Sequence, residues 1–562
     1  MSRTMQLSIR AAACVLVSAL CCAPVGADDR TIDGTGNNAG GAAGSQLMRL
    51  TTPSYGDGFS LPSGGDRPSP RLVSNVVADQ THSVPSANGL SSFVWAWGQF
   101  LDHDISLTPG HEPNEPFNID VPTGDLHFDP DGLGGAIIPL NRSIYETNTG
   151  TTDPRQQLNQ ITSFIDGSTL YGSDATRAAA LRTGVDGLLE TSHGGKLMMY
   201  NTTGLDNASL PGQDPTTLYF SGDVRSNENA ALTALHTLFM REHNRLAVEI
   251  KDANPLWTDE QIFQRARKIV GAQIQAITYN EFLPALGVEL APYTTYGAGV
   301  DASIANEFST AAYRFGHSML TPTILRLDQA GHEIDAGHLA LRDAFFNAQV
   351  ISADGIEPVL LGLVAQQQEE IDHYIIDDVR NFLFGPPGAG GLDLAALNMQ
   401  RVRDHGLPGY VQMRDELSTL FGAGLGPITG FGDITSDATL AAKLEAAYVT
   451  VDKIDPWIGL LAEDHLPGTS IGATMSLILA DQFTRLRDGD KYYFEYDPDI
   501  SPLLAAQIGR TTLSDVIVAN TWLGYFPADV FQAHPVPEPA SAVLGTVALG
   551  ALGVSVLRRR RA

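Results

Sequence analysis

The sequence contains little cysteine and few basic residues for its length. It has 3 cysteines in 562 residues, and all three (Cys14, Cys21 and Cys22) lie near the N-terminus. If that segment is removed, no thiol remains, which excludes disulfide bonds, thiolate nucleophiles and thiolate-bound metals. Lys and Arg total 35 against 64 Asp and Glu, a net charge of −29. Such a chain repels phosphate backbones, so we expect no nucleic-acid partner.

Long apolar runs are found only at the two ends. Residues 11–23 follow Arg3 and Arg10 and precede Val25-Gly26-Ala27, the layout of a cleavable signal peptide over residues 1–27. At the other end, Val536-Pro-Glu-Pro539 precedes apolar residues 540–557, just long enough to cross a bilayer, and then four arginines. Residues 536–562 resemble the Pro-Glu-Pro sorting signals of Gram-negative bacteria, which a membrane protease of the exosortase type is thought to cut.

These two segments predict export. We expect an extracellular, cell-surface or outer-envelope protein of a Gram-negative bacterium, with a transient membrane contact through residues 536–562. The alternative is a permanent anchor with one transmembrane helix.

Between the ends, the sequence predicts one large, mainly α domain. Residues 28–71 are rich in Gly, Pro, Ser and Asn, which is typical of an extended arm. Helical periodicity then predicts helices over residues 93–104, 230–251, 261–283, 302–320 and 473–486. Strand-like alternation is scarce and local, for example around residues 491–496. No linker divides residues 72–527.

One helical motif carries chemistry-bearing side chains on a single face. Gln99 and His103 are four residues apart, so both project from the same side of the predicted helix. A neutral imidazole beside an amide can handle a small polar reactant such as a peroxide by taking a proton from one oxygen and returning it to the other. Asp102 and Asp104 flank that face. A buried core histidine is the alternative.

Further short motifs each allow two interpretations. In the stretch from Thr162 to Ser168, oxygen-bearing side chains at alternate positions could wrap a calcium ion, with Asp104 added, or simply start a helix. Arg225 could place a fixed positive charge beside a breaking O–O bond, or pair with Glu228 at the surface.

Two later motifs also allow two interpretations each. His317 follows a glycine and could ligate iron or pack in the core. Asn398 could hold the second nitrogen of such a ligand, and Arg401 could pair with anionic groups, or the segment could be a charged turn.

The motifs together resemble a known family. Gln-Phe-Leu-Asp-His-Asp (99–104), Thr-Ser-Phe-Ile-Asp-Gly-Ser (162–168), Gly-Asp-Val-Arg-Ser-Asn-Glu (222–228), Arg-Glu-His-Asn-Arg (241–245), Arg-Phe-Gly-His (314–317) and Leu-Asn-Met-Gln-Arg-Val-Arg-Asp-His-Gly (397–406) occur in this order. They are similar to the signatures of animal-type haem peroxidases, within the peroxidase–cyclooxygenase superfamily. The similarity runs from about residue 31 to about residue 523.

The resemblance implies a role for each matching residue. His103 corresponds to the distal acid–base histidine, with Gln99 beside it and Arg225 as the distal arginine. His317 corresponds to the proximal ligand of a haem b iron, and Asn398 to its hydrogen-bond partner. The remaining positions correspond to the carboxylates that esterify haem methyls in mammalian members (Asp102, Glu228), to haem propionate contacts (Arg314, Arg401) and to calcium ligands (Asp104, Thr162, the Phe164 carbonyl, Asp166, Ser168).

The expected reaction is the reduction of hydrogen peroxide with oxidation of a small anionic or aromatic donor. Asn229 stands where the chloride-oxidising member has a methionine, so we expect bromide, iodide, thiocyanate or phenols as donors. The family's disulfides are missing, so calcium and core packing must hold the fold.

Two alternatives stay open. One is a haem-dependent fatty-acid dioxygenase of the same superfamily, with Tyr313 as a candidate for the required tyrosine. The other is a calcium-binding matrix or adhesion protein without turnover.

Overall fold

The computed structural model describes residues 29–534, and the predicted signal peptide and sorting signal lie outside the described residues. Within this range the protein is mainly helical, which confirms the predicted fold class. The longer helices are Phe93–Ile105, Ala230–Ala253, Asp259–Ile277, Leu394–Asp404, Tyr410–Leu420, Ala438–Tyr448 and Ala473–Asp488.

Shorter helices connect these. They are Pro70–Val77, Ser168–Tyr171, Ala175–Ala180, Leu283–Leu286, Asn306–Thr310, Leu341–Ala344, Gln349–Asp354, Glu357–Ala365, Asp377–Arg380, Pro456–Ala462, Pro502–Ile508 and Leu513–Asn520. A π-helix spans Thr278–Phe282, and 3-10 helices span Pro215–Thr217, Ala312–His317, Phe431–Asp433 and Val451–Lys453.

Three antiparallel two-residue strand pairs complete the described structure. They are Ile119–Asp120 with Ile137–Ile138, Thr191–Ser192 with Leu197–Met198, and Thr323–Ile324 with Leu339–Ala340. No helix within residues 29–534 has both the length and the apolar character needed to cross a bilayer.

The central helices begin at sequence-encoded caps. The Asn229 side-chain oxygen accepts a hydrogen bond from the Leu232 amide at 2.9 Å, which satisfies a free donor at the start of the 24-residue helix. Thr258 and Gln261 form a capping box at the start of the next long helix. These two helices make the most extensive helix–helix contact in the described structure.

Aromatic packing fixes the helix that carries His103. Trp97 and Phe100 on Phe93–Ile105 contact Phe239 on Ala230–Ala253, with ring centroids 5.7 and 5.3 Å apart. All three rings are fully buried, and aromatic pairs of this kind add to the stabilisation from area burial. The side chains that follow Phe100 are therefore held at a defined position relative to the long helix.

The predicted helix over residues 302–320 is wrong. The structure has the short helix Asn306–Thr310, a break at Ala311 with φ −124° and ψ −71°, and then the 3-10 helix Ala312–His317. The rings of Phe308 and Tyr313 stack with centroids 4.6 Å apart. Residues five apart on a continuous α-helix do not face one another, so this packing requires the break.

The predicted strand around residues 491–496 is also wrong. The segment forms turns, in which the Tyr493 amide donates to the Asp490 carbonyl and the Tyr496 amide donates to the Tyr493 carbonyl. The consecutive aromatic residues 492–494 are all buried, whereas a half-buried strand would bury alternate side chains.

Candidate active site

One buried cavity brings together the side chains of several distant motifs. Its volume is about 390 Å³, and both His103 and His317 line it. The other predicted site residues in its lining are Gln99, Asp102, Arg225, Glu228, Arg314 and Arg401. The distal and proximal candidates, more than 200 residues apart in sequence, therefore share one cavity.

His103 lies in this cavity as an uncharged base. The residue is 4% exposed, and its Nδ1 atom has no hydrogen-bond partner within the described structure. Burial and the nearby charge of Arg225 hold the pKa of His103 well below its ordinary value. The imidazole is therefore neutral at neutral pH and can accept a proton.

Arg225 is fixed by a carboxylate that the sequence interpretation did not single out. Asp223 Oδ1 accepts from the Arg225 backbone amide at 2.7 Å and from Nε at 2.9 Å, while Oδ2 accepts from Nη2 at 2.8 Å. Burial alone would raise the pKa of Asp223, but Arg225 and His103 outweigh it and hold that pKa well below the usual range.

Asp223 also faces the distal histidine. Its Oδ1 lies 3.7 Å from His103 Nδ1, the nitrogen without a hydrogen-bond partner. A negative charge there favours the tautomer with its proton on Nδ1, which leaves the Nε2 lone pair free. The only signal in the sequence is the position of Asp223 two residues before Arg225.

Gln99, Glu228 and Asn229 form a hydrogen-bonded group beside His103. Gln99 Nε2 donates to Glu228 Oε2 at 2.9 Å, and Asn229 Nδ2 donates to Gln99 Oε1 at 2.7 Å. Glu228 Oε2 also lies 3.7 Å from His103 Nε2. Both amide groups are therefore held in one orientation.

Two cavity carboxyls have raised pKa values. Burial, opposed by Arg225, raises the pKa of Glu228 to about 7. Burial, opposed by Arg225 and Arg314, raises the pKa of Asp102 to about 6. Titratable groups perturbed in this way inside a cavity are typical of functional sites.

His317 is held from one side by Asn398. The Asn398 Nδ2 atom lies 2.7 Å from His317 Nδ1, which leaves Nε2 as the nitrogen available to a metal in the cavity. Burial and the charge of Arg314 lower the pKa of His317 to about 3, so the ring is neutral as metal ligation requires.

Asn398 in turn contacts Arg314, whose Nη1 donates to the Asn398 side-chain oxygen at 3.0 Å. A histidine that gives Nε2 to iron carries its proton on Nδ1 and needs an acceptor there. The Asn398 amide can serve that role only when its oxygen is turned toward His317, an orientation in which the hydrogen bond from Arg314 is given up.

The two predicted propionate contacts, Arg314 and Arg401, both line the cavity. Burial and the like charge of Arg401 lower the pKa of Arg314 to about 10. Arg401 Nη1 donates to Ser143 Oγ at 2.7 Å and to Asp404 Oδ2 at 2.8 Å. A largely apolar cavity with a neutral histidine and two guanidinium groups fits a flat apolar macrocycle with anionic substituents, such as haem.

The predicted calcium residues also lie together, next to the distal helix. Asp104 Oδ2 accepts from the Asp166 amide at 3.0 Å, and Ser168 Oγ lies 3.2 Å from Asp104 Oδ1. Thr162 Oγ1 donates to Asp166 Oδ2 at 3.2 Å, and Phe164 is buried in the same loop. Burial and the neighbouring Asp166 raise the pKa of Asp104 above its usual range.

This loop fits a hard cation. Two buried carboxylates with hydroxyl groups and a backbone carbonyl form the kind of donor set that Ca²⁺ prefers. Within residues 29–534 no three His, Cys, Asp or Glu side chains are grouped so that they could hold a metal ion, and the loop has two acidic residues. Asp102 lines the cavity, whereas Asp104, on the same helix, contacts this loop.

His243, within the motif 241–245, and His236, on the same helix, belong to the core. His243 Nε2 contacts the Gly187 carbonyl oxygen at 2.8 Å, and His236 lies against Ser221 and Thr169. Arg245 pairs with Glu242 at 2.7 Å and with Glu249 at 2.8 Å. The interpretation of this motif as helix packing and ion pairing agrees with these contacts.

Comparison with known proteins identifies the class. The family model for animal haem peroxidases matches residues 29–531. Peroxinectin A of Dictyostelium discoideum is 37% identical over 522 residues, which covers 90% of this chain and 95% of that protein. Eosinophil peroxidase of Homo sapiens is 35% identical and covers 91% of this chain and 77% of its own length.

A solved structure supports the same class. Peroxidase A from Dictyostelium discoideum superposes with a TM-score of 0.83 and 35% identity, covering 90% of this chain and 100% of its own. The chain belongs to the animal haem peroxidase family. It is a peroxidase, as the sequence predicted.

A fatty acid alpha-dioxygenase of Arabidopsis thaliana shares the fold alone. It superposes with a TM-score of 0.75 at 21% identity and covers 91% of this chain and 84% of its own.

Proposed function

We propose that this peroxidase binds haem b between His103 and His317 and reduces hydrogen peroxide while oxidising halides, pseudohalides or aromatic donors. One observation supports this most strongly: the imidazoles of His103 and His317, both with lowered pKa values, line a single cavity together with Arg225. Haem supplies the redox chemistry when bound, and the protein supplies position, charge and proton transfer.

On the distal side, His103 takes the proton of one peroxide oxygen at Nε2 and returns it to the other oxygen. The proton on Nδ1 stays in place because Asp223 lies 3.7 Å from that atom. Arg225 stabilises the negative charge that develops on the departing oxygen, and Asp223 keeps the guanidinium in one orientation. Gln99 helps to orient peroxide.

On the proximal side, His317 would hold the iron and Asn398 would orient its ring. Arg314 and Arg401, which line the cavity, would bind the propionates. Asp102 and Glu228 line the same cavity, and their raised pKa values keep both carboxyls partly protonated near neutral pH. We propose these two as the residues that would form ester bonds with haem methyls, each bond formed with loss of one carboxyl and one methyl hydrogen, which reduce one hydrogen peroxide to two waters.

The donor specificity follows from Asn229. Its side chain is used to cap a helix and to hold Gln99, at 2.9 and 2.7 Å. It cannot form the covalent haem link that a methionine makes at this position. We therefore propose iodide, bromide, thiocyanate and phenols as donors in preference to chloride.

We propose that calcium binds Asp104, Thr162, the Phe164 carbonyl, Asp166 and Ser168. Without a cation, the carboxyls of Asp104 and Asp166 would lie buried side by side. Because this loop contacts the helix of His103, calcium stabilises the distal side of the site.

The cellular location is a further proposal. Residues 1–27 and 536–562 support export by a Gram-negative bacterium, removal of the C-terminal segment by an exosortase-type protease, and a transient membrane contact before cleavage. Mass spectrometry of the protein recovered from its native cells would test this, because both segments are absent after processing and present otherwise.

The decisive experiment for the activity uses protein loaded with haem and calcium. Rapid mixing with hydrogen peroxide should change the visible spectrum, and added iodide or guaiacol should restore the starting spectrum while being oxidised. Oxygen uptake with an unsaturated fatty acid and no peroxide would instead indicate the dioxygenase. Failure to form a Soret band with haem would indicate the non-catalytic calcium-binding protein.

A further inference from the structure

A continuous line of aromatic rings runs from the cavity toward the surface. Tyr313 lines the cavity, and its ring centroid lies 5.7 Å from that of Phe483. Phe483 lies 6.4 Å from Tyr279, and Tyr279 lies 5.7 Å from Tyr493. The last step, from Tyr493 to Tyr293, is 4.7 Å. The longest step, between Phe483 and Tyr279, is 6.4 Å.

The outer end of this line reaches solvent. Tyr293 is partly exposed, in contrast to Tyr313 and Tyr493, which are buried. Tyr496 lies near Tyr293 and is 43% exposed, and its ring contacts Tyr296 at 5.4 Å. The rings of Tyr293, Tyr296 and Tyr496 therefore form an aromatic surface, which we call the outer tyrosine patch.

Charges of both signs surround the outer tyrosine patch. Burial, with the charges of Asp488, Asp490 and Glu495 added, raises the pKa of Tyr293. Asp488 pairs with Arg487 at 2.7 Å, Asp490 pairs with Arg30 at 2.8 Å, and Lys491 lies near Tyr296. A surface of mixed charge does not select strongly by the charge of the donor.

The residues on the line suit stepwise electron transfer. Tyrosine is the most readily oxidised side chain among them, and electrons move quickly between aromatic rings in near contact. Oxidised tyrosine must give up its hydroxyl proton, and the buried hydroxyl of Tyr313 has no hydrogen-bond partner within the described residues. Tyr279 donates to the Phe483 carbonyl at 3.0 Å, and the Tyr493 hydroxyl lies 3.4 Å from Glu495, an exposed carboxylate that can take the proton and return it.

We propose that the outer tyrosine patch is a second oxidation site, for phenolic groups on molecules too large to enter the haem cavity. This rests on the proposed peroxidase function. Electrons pass inward from Tyr493 to Tyr279, whose hydroxyls have hydrogen-bond acceptors, and then across the rings of Phe483 and Tyr313, which bridge to the cavity without being oxidised themselves. Two surface phenols each lose one electron and one proton and become phenoxyl radicals, and these two electrons and two protons reduce one hydrogen peroxide to two waters.

The site differs from the cavity in the donors it accepts. The cavity has a volume of about 390 Å³ and is the proposed place of haem, so only small donors find room beside it. The outer tyrosine patch is open to solvent, so it takes phenols on larger molecules, including those on polymers, and leaves iodide and thiocyanate to the cavity.

The test is to locate the radicals on the protein. Holoenzyme loaded with haem and calcium is mixed with hydrogen peroxide and a nitroso spin trap, without a donor, and adducts are mapped by peptide mass spectrometry. We expect adducts on Tyr293 or Tyr496. Tyr525 is the internal control, since it is 72% exposed and lies outside the line of rings. It should stay unlabelled.

Single-residue variants test whether the labelling depends on the line of rings. Tyr279→Phe keeps the ring packing but removes the oxidisable hydroxyl, so adducts at the outer tyrosine patch should fall by an order of magnitude while iodide oxidation is retained. Tyr525→Phe is the matched control and should change neither. Tyr293→Phe, a change at a partly exposed residue, should slow oxidation of a polymer-linked phenol and leave iodide oxidation unchanged.

Three results would overturn the proposal: equal labelling of Tyr525, labelling that does not depend on Tyr279, or no labelled tyrosine in an enzyme that oxidises iodide normally. If Tyr279→Phe does not fold, an unchanged rate of Tyr293→Phe with the polymer-linked phenol would overturn it as well. An enzyme that does not oxidise iodide would instead show that the proposed peroxidase function is wrong. The proposal of a second oxidation site, which rests on that function, would then be wrong as well.

Discussion

Asp223 and Arg225 form a side-chain pair in which the carboxylate accepts hydrogen bonds from Nε at 2.9 Å and from Nη2 at 2.8 Å. Both residues line or adjoin the cavity, and Asp223 is almost fully buried. The charge and orientation of Arg225 are therefore set by a residue that never needs to touch peroxide, which makes Asp223 a positioning residue.

The variant Asp223→Asn should react with peroxide about tenfold to a hundredfold more slowly, because a charge-assisted hydrogen bond contributes roughly 1.5–3 kcal/mol. Haem binding should persist, since no propionate or iron contact changes. The measurement is the stopped-flow rate at a temperature where the variant is fully folded. Asp214→Asn, an exposed residue outside the cavity, is the control, and a normal rate in Asp223→Asn would contradict the positioning role.

His103→Ala should bind haem but react with hydrogen peroxide roughly 10²–10⁴ times more slowly, the usual contribution of a general acid–base group. The reason is that the variant lacks the Nε2 atom proposed to take the peroxide proton. The measurement is the rate of the spectral change on mixing with peroxide. His193→Ala, which lies on an exposed turn, should behave as wild type. Unchanged turnover in His103→Ala would show that the distal assignment is wrong.

Calcium removal should lower thermal stability. A cation present at about one hundred times its dissociation constant adds about 3 kcal/mol to the free energy of unfolding. We expect the melting temperature to fall on treatment with a calcium chelator and to recover when Ca²⁺ is restored. Asp166→Asn should lose most of this response, whereas Asp131→Asn, at an exposed position, should keep it. Equal melting temperatures with and without chelator would argue against the site.

Acid should destabilise the fold through buried neutral histidines. Burial, opposed by the contact with the Gly187 carbonyl, lowers the pKa of His243 from 6.5 to about 4. Between these values the unfolded chain binds a proton that the folded chain does not. Above about pH 6.5 the histidine is neutral in both states and does not affect stability. As the pH falls from about 6.5 to about 4, the free energy of unfolding falls by about 3 kcal/mol in total.

The measurement is the melting temperature between about pH 8 and about pH 4. His243→Gln should lose less stability on acidification than wild type, although it starts from a lower value. His193→Gln makes the same chemical change at an exposed position and should follow wild type. Parallel curves for wild type and His243→Gln would show that His243 does not titrate in this way.

Much of the fold could be predicted from periodicity. The helix predicted over residues 93–104 is observed as Phe93–Ile105, and that over residues 473–486 as Ala473–Asp488. The failure at residues 302–320 has a tertiary cause: Phe308 and Tyr313 stack at 4.6 Å, and a continuous helix cannot bring them together. The helix propensity of a segment carries no information about a tertiary contact such as this stacking.

The sequence could predict which residues form the site, but it could not predict their burial or the distances between them. The motifs that contain His103, Arg225, His317 and Asn398 were found in the sequence, and the structure places all four at or beside one cavity. Asp223 was missed because an acidic residue two positions before an arginine is usually a surface ion pair. Its importance depends on burial and on its distance to His103, which only the folded chain shows.

The most direct test of the account is the visible absorption spectrum of the calcium-loaded protein after titration with haem and then with hydrogen peroxide. We predict a Soret band at one haem per chain in wild type, a shift of that band on adding peroxide, loss of tight haem binding in His317→Ala, and a bound but unresponsive haem in His103→Ala. A normal, peroxide-responsive Soret band in both variants would contradict the claim that haem lies between these two histidines.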